Sequence, residues 1–277
     1  MQLFVTTEGI ARRSPTDPDL LEIIAPADRD LAPHLSPEAL AALEKAEPKA
    51  RVALVDASFL PPIARPGRFV IAGLNYRAHC EEVGRPVPEQ LVFAPAIGEP
   101  AHASGAPVRI PAEATEQIDY EGEVAVVIGT SASSVDAADA WSVIAGLMPL
   151  NDVSARDVQA GATLEAVGRA KGFPTFKPMG PALATADEFP DPLDVGIRTW
   201  VNGELRQSGR TGDMVFRIPE IVALVSARIP LEPGDVICTG TPGGVAHGGA
   251  HPYLVPGDVV EVELEGLPRL SNRFEAE

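Results

Sequence analysis

Twenty-eight prolines and 25 glycines, spread through 277 residues and not clustered, limit the length of every secondary-structure element this chain can form. Proline cannot donate within a strand ladder and breaks a helix interior, while glycine serves the positive-φ positions of turns. Scattered in this way they punctuate short elements and do not mark a low-complexity tract. No internal repeat of solenoid period accompanies them. The stretches between breakers are mostly β-branched and read as strands at 2–6, 51–55, 69–72, 124–128, 143–150, 196–201, 235–239 and 259–264. The last two are introduced by the same Pro-Gly-Asp turn, at 233–235 and 256–258. Helices are predicted at 36–46, capped by Ser36 with Pro37 at the first helical position, and at 137–141 and 218–226. So few helices cannot cover both faces of a parallel sheet, so the expected class is an α+β fold built on sheets. The segment Leu60-Pro-Pro-Ile-Ala-Arg-Pro-Gly67 opposes any continued element and reads as a linker. It divides a small N-terminal α/β unit, residues 1–65, from a larger domain, residues 66–277.

Charge excludes whole classes of partner. With 22 basic and 39 acidic side chains the formal charge is −17, which disfavours nucleic acid and anionic membrane surfaces alike. The apolar fraction of 45% excludes a disordered chain. The positive charge of residues 1–13 follows a short apolar stretch, the reverse of a secretory signal. The longest apolar run, residues 143–150, contains a proline, where a spanning helix needs about 20 residues. Cys80 and Cys238 form no CxxC pattern. The expectation is a soluble protein of a reducing cytoplasm.

The most informative stretch is Asp119-Tyr-Glu-Gly-Glu-Val-Ala-Val-Val-Ile128. Side chains alternate along a strand, so Glu121 and Glu123 share a face, roughly 7 Å apart, which continues as Ala125 and Val127. Two carboxylates directed into a core repel each other and need a compensating cation. From pattern alone, an edge strand whose Glu121 and Glu123 face water reads equally well. Asn151-Asp152 follows the apolar run and offers a third carboxylate at a strand end. Such an oxygen set suits magnesium, although Asn-Asp also serves as a turn or helix cap. In Asn75-Tyr-Arg-Ala-His79-Cys-Glu-Glu82 a helical conformation puts Glu82 three residues from His79 on one face, the arrangement a general base requires and one that a surface pair also adopts. Cys80 diverges from His79 by about 100° and is a weaker nucleophile candidate. Lys171 and Lys177 stand out in a lysine-poor chain, as site groups or as solvated charges. Gly240-Thr-Pro-Gly-Gly-Val245 offers backbone donors to an anion but matches neither the Walker pattern nor GxGxxG. His247 and His251, at i,i+4 spacing among Gly248, Gly249 and Pro252, read as loop residues. No GxSxG nucleophile motif is present.

The order and spacing of these signals are far more specific than any one of them. Asn75-Tyr-x-x-His79-x-x-Glu82, Asp119-Tyr-Glu-Gly-Glu123, Asn151-Asp-Val-Ser-Ala-Arg-Asp157, Gly180-Pro181, Val201-Asn-Gly-Glu204 and Gly234-Asp-Val-Ile-Cys-Thr-Gly-Thr-Pro-Gly-Gly-Val245 together resemble the fumarylacetoacetate hydrolase family. The likeness runs from about residue 69 to residue 267, and residues 1–65 resemble that family's variable N-terminal part. The resemblance implies a β-sandwich roll, usually a homodimer, with Mg²⁺ or Mn²⁺ held by Glu121, Glu123 and Asp152. It implies a catalytic His79–Glu82 dyad on a segment that orders over substrate, and a catalytic Lys171. Arg156, Gln159, Lys171 and Thr241 match positions that contact substrate. The chain departs from the family in three places. Ala94 replaces the lysine of Phe-x-Lys-Pro, Lys171-Gly-Phe-Pro174 replaces Lys-Ser-Phe-Asp, and Arg210 stands where Asn is frequent.

These implications define an expected chemistry. A 2-oxo acid chelated to the ion yields an enolate when a bond at C3 breaks, with Lys171 adding positive charge and His79 with Glu82 activating water. The first expectation is hydrolytic C–C cleavage of a 2,4-dioxo acid such as an acylpyruvate. The alternatives on the same platform are oxaloacetate decarboxylation and isomerisation or hydration of a 2-oxo dioate. A metabolite-binding protein without turnover is a third possibility.

Overall fold

The strand Gly122–Ile128 lies at the centre of the molecule, every one of its residues buried. It pairs antiparallel with Ile144–Asn151 on one side and with Val236–Cys238 on the other, so it is not an edge strand. The description is of a computed structural model and covers the chain except residues 27–29, 97–99, 114–115, 160–163 and 191–192.

The large sheet extends in both directions from this strand. Beyond Val236–Cys238 lie Phe69–Gly73, in parallel, and Val92–Pro95. Beyond Ile144–Asn151 come Ala182–Thr185, Gln2–Thr6, Ile10–Arg13, Leu20–Ala25 and Ala50–Ala53. The N-terminal strand is hydrogen-bonded into this order, with Leu3 opposite Leu183. A second sheet runs Glu204–Arg210, Gly196–Val201, Val259–Leu264, Leu270–Ala276 and Val108–Ile110.

Alternation along the central strand explains the two cores. Val124, Val126 and Ile128 pack with Ile197, Val262 and Phe274 of the second sheet and with Ile221, Val222 and Val225 of the helix Ile218–Ser226. Ala125 and Val127 face the other way, onto Leu3, Val5, Met179 and Leu183. A strand buried on both faces reads as a continuous apolar run, which is what Val124 to Ile128 is. At its first residue the sheets approach closely. A Cβ at Gly122 would collide with Thr199 Oγ1 and stand 3.2 Å from Val262 Cγ1. Gly122→Ala should therefore destabilise the protein by about 1–3 kcal/mol through overpacking, read as a lower denaturant midpoint. An unchanged midpoint would mean the sheets can move apart at no cost.

The helices at 36–46 and 218–226 are present, as Pro37–Lys45 with the Ser36 hydroxyl accepting from Ala39 N–H, and as Ile218–Ser226. The predicted helix at 137–141 is instead a 3₁₀ helix, Ala137–Val143, whose N-cap Asp136 makes no capping hydrogen bond. Its apolar end runs directly into the strand Ile144–Asn151. Elements that the sequence pattern does not announce include the hairpin Ile10–Arg13/Leu20–Ala25, the helix Leu164–Lys171 and the strands Val92–Pro95, Val108–Ile110, Ala182–Thr185, Glu204–Arg210 and Leu270–Ala276. The hairpin hides its register in a charged pair, Arg12 to buried Glu22 at 2.9 Å. Among the described residues no helix is long and apolar enough to cross a membrane.

Candidate active site

Register brings the acidic residues together. Gly122 lies opposite Asn151, whose Oδ1 accepts the Glu121 N–H at 3.0 Å, and the Asp152 N–H donates to the Glu121 carbonyl at 2.9 Å. Glu121 and Glu123, two apart on their strand, thus meet Asp152 at the end of its neighbour. All three are buried, and one carboxylate oxygen from each lies within 4.8 Å of the others.

Three cations face this cluster. Lys171, the last residue of its helix, places Nζ against Glu121 and 2.5 Å from Asp152 Oδ2. Lys177 Nζ lies 2.7 Å from Asp152 Oδ1 and over the Phe69 ring. Arg156 bridges Glu121 Oε1 at 2.6 Å and Asp119 Oδ2 at 2.9 Å. Asp119 also accepts the backbone N–H of Ala246 and His247, so it ties Arg156 to the loop above. Four buried carboxylates, counting Asp119, therefore share three cations.

The shortfall falls on Glu123. Both oxygens of Glu121 and of Asp152 are taken by cations, whereas among the described residues Glu123 accepts a hydrogen bond only from Gly240 N–H, at 2.8 Å. Burial, then the neighbouring charges of Asp152 and Glu121, push the Glu123 carboxyl well above its ordinary range. Burial alone would raise Glu121 too, but Lys171 and Arg156 outweigh it and hold that carboxyl well below. An all-oxygen set with one undercompensated carboxylate fits a hard divalent cation. His247 and His251 are not part of this cluster. The His247 ring instead sets Nδ1 3.2 Å from the Tyr253 hydroxyl.

His79 and Glu82 lie on the short helix Arg77–Glu82, with Nδ1 3.5 Å from Glu82 Oε2. His79 is buried and Glu82 half-buried, so this is not a surface pair. Burial would raise the Glu82 carboxyl, but hydrogen bonds from His79 and Gly244 lower it on balance. The Cys80 thiol is turned to the Leu74 carbonyl and burial pushes its pKa up, the opposite of an activated nucleophile.

The Gly240–Val245 loop spends its donors on the protein's own carboxylates: Gly240 N–H on Glu123 and Gly244 N–H on Glu82. Gly240 has φ +94°, and a Cβ there would stand 2.9 Å from the Asn75 Cβ. Asn75 fastens this turn, donating from Nδ2 to the Thr239 and Phe216 carbonyls. The Thr241 hydroxyl donates to the Gly122 carbonyl and accepts from Gln207 Nε2, so its one proton is already engaged. Gln159 Oε1 accepts from Arg156 Nη1 at 3.0 Å. Asp119 and Gln207 are site residues that the sequence assigns no role. Of the two readings of Lys177, site group or solvated charge, the structure shows the first, so the site is not short of a basic group despite Ala94. Arg210 pairs with Asp194 and Glu265 at the surface, away from the three carboxylates.

Comparison with known proteins gives the family of the chain. The family model described as fumarylacetoacetate (FAA) hydrolase C-terminal matches residues 68–275. The mitochondrial oxaloacetate tautomerase FAHD2B of Bos taurus is 41% identical over 223 residues, covering 79% of this chain and 69% of the relative. The crystal structure of 5-carboxymethyl-2-hydroxymuconate delta-isomerase from Mycobacterium smegmatis superposes with a TM-score of 0.79 at 33% identity over the whole of both chains. Fumarylacetoacetate hydrolase from psychrophilic Exiguobacterium antarcticum does so at 0.80 and 31%, again over both whole chains. With its α+β architecture, its acidic cluster and a family match over most of its length, the chain belongs to the fumarylacetoacetate hydrolase family.

Proposed function

We propose that this chain is a Mg²⁺- or Mn²⁺-dependent enzyme that interconverts keto and enol forms, or double-bond isomers, of a small 2-oxo acid. The observation that carries the reading is the convergence of Glu121, Glu123 and Asp152 within 4.8 Å, buried, with Lys171 and Arg156 beside them. A divalent cation bound there would act as a Lewis acid and lower the cost of an enolate. Arg156, held in place by Asp119 and Glu121, binds the substrate carboxylate together with Gln159. Lys171 keeps positive charge at the oxygen that becomes the enolate. His79, its Nδ1 turned to Glu82, leaves Nε2 to take a proton and return it. Thr241 acts on the substrate side through the turn it shares with Gly122 and Gln207. The names of the tautomerase and isomerase relatives support proton transfer as the reaction.

Hydrolytic C–C cleavage of a 2,4-dioxo acid is the second reading, favoured by the His79–Glu82 dyad, which can activate water as readily as carbon. We take the protein as cytoplasmic and homodimeric, handling a free metabolite.

Oxaloacetate tautomerisation and decarboxylation, acylpyruvate hydrolysis and 2-oxo dioate isomerisation, assayed side by side with Mg²⁺, Mn²⁺ and EDTA, test the reading. The expected result is fastest turnover in a proton-transfer assay, abolished by EDTA; activity indifferent to EDTA overturns it. His79→Ala should lower tautomerisation and hydrolysis at least about 100-fold while sparing decarboxylation, which needs no attacking water. Equal survival of all three would remove His79 from the chemistry.

A further inference from the structure

The contact between His79 Nδ1 and Glu82 is long, 3.5 Å, and does not by itself determine where Glu82 sits. The carboxylate is held from the opposite side by the glycine-rich loop. Gly244 N–H donates to both Glu82 oxygens, at 3.0 and 3.1 Å. Gly248 leaves the room that Glu82 occupies: a Cβ there would collide with Glu82 Cγ and Cδ and lie 2.5 Å from Oε1. The backbone of Gly244 is fixed in turn from behind. Its carbonyl accepts the Tyr120 hydroxyl at 2.8 Å, and its Cα presses on the Arg206 carbonyl so closely that no Cβ would fit. Tyr120 is fully buried in the core between the sheets. Beside its phenol lies the Arg206 guanidinium, itself buried, with Nε and Nη1 unpartnered.

From these contacts we infer that Tyr120 is a positioning residue for the His79–Glu82 dyad, acting through the backbone at Gly244. The phenol holds the Gly244–Val245 peptide, whose own Val245 N–H is turned to Glu82, and this peptide is joined through the Gly244 Cα to the one whose N–H donates to both Glu82 oxygens. Glu82 in turn selects the Nδ1–H tautomer of His79. The inference rests on the reading that His79 moves a proton; Tyr120 itself touches no reacting atom. It explains why a tyrosine stands between Asp119 and Glu121 with its side chain on the face opposite the carboxylates, where a purely packing residue would need no hydroxyl.

Tyr120→Phe keeps the ring that fills the core and removes only the hydroxyl. In the full-length protein with Mg²⁺ the variant should bind the metal within about twofold of wild type by calorimetry. Its kcat should fall about tenfold or more with KM nearly unchanged. The ¹⁵N imidazole signals of His79 should lose their bias toward the Nδ1–H tautomer. Wild-type kcat together with a wild-type His79 signal overturns the inference, as does a loss confined to metal affinity. Gly248→Ala, in the loop and outside the core, pushes on Glu82 directly and should reproduce the kcat loss and the tautomer change; a wild-type kcat and His79 signal in that variant overturn the inference even if Tyr120→Phe does not fold. Should the wild-type protein turn over none of the assayed 2-oxo acids, the proposed function fails, whereas the imidazole spectra still decide whether Tyr120 positions the dyad.

Discussion

Glu121→Gln and Glu123→Gln are expected to shift the stability of the metal-free protein in opposite directions, although both should abolish tight metal binding. Glu121 is doubly paired, with Lys171 and with Arg156 at 2.6 Å, and neutralising it leaves Lys171 with Asp152 alone and Arg156 with Asp119 alone. Breaking a buried pair from one side costs about 3–5 kcal/mol, so the melting temperature in EDTA should drop by roughly 6–15 °C for a chain of this size. Among the described residues Glu123 has one hydrogen-bond donor, Gly240 N–H, and two carboxylate neighbours, so its charge is a liability until a cation arrives. Removing that charge should raise the EDTA melting temperature by the equivalent of about 1–2 kcal/mol. The pH dependences follow the same division. Glu121, with its pKa lowered, contributes stability that is present above its unfolded value and lost as pH falls through the folded one. Glu123, with its pKa raised, does the reverse: the metal-free fold loses stability as pH rises above the unfolded value toward the folded one. Thermal melts of both variants with EDTA and with Mg²⁺ check this. Equal destabilisation by the two substitutions in EDTA would show that the charges are not divided as described.

How far the sequence itself pointed to this site differs residue by residue. The alternation that puts Glu121 and Glu123 on one face is a property of any strand, and it was legible. Whether that face looked inward was not legible from alternation alone, because residues on both faces of Gly122–Ile128 are buried. The unbroken apolar run after Glu123 carried the missing signal, since an exposed edge has no reason to bury Val124 and Val126 as well as Ala125 and Val127. Asp152 was legible as a carboxylate at the end of an apolar strand, and the order of motifs strengthened it. Its meeting with Glu121 depends on the register Gly122–Asn151 between strands some thirty residues apart, which periodicity does not encode. Lys177 was harder still. Its ammonium reaches Asp152 only because the short strand Pro178–Met179 pairs with the far end of Ile144–Asn151, a contact no local pattern announces. The glycines tell the same story in reverse. Gly244 and Gly248 look like turn residues in the sequence and Gly122 like a strand residue with no side chain to place, yet at each of them another part of the chain comes too close for a Cβ.

Lys171→Met is expected to tighten metal binding while removing most turnover, a combination that a purely structural lysine would not give. Lys171 Nζ lies against Glu121 and Asp152, two of the three carboxylates available to a cation. It competes with an incoming ion for the same oxygens and repels it at short range. At a few ångströms and an effective dielectric near 20 that repulsion is of order several kcal/mol before relaxation, enough that its loss should lower the Mg²⁺ dissociation constant by about 10- to 100-fold. The same substitution leaves Glu121 and Asp152 short of a counter-charge in the metal-free protein, so the melting temperature in EDTA should fall and the gain on adding Mg²⁺ should exceed that of wild type. Turnover should nevertheless drop about 100- to 1,000-fold, because a fixed positive charge at a developing enolate acts only in the transition state. Calorimetry for affinity, melts for the metal-induced gain and saturating-Mg²⁺ kinetics separate the three effects. Weaker Mg²⁺ binding in Lys171→Met would mean that the ammonium organises Glu121 and Asp152 for the ion and does not compete with it. In that case the charge balance of the cluster would have to rest on Lys177 and Arg156, which hold the outer oxygens of the same two carboxylates.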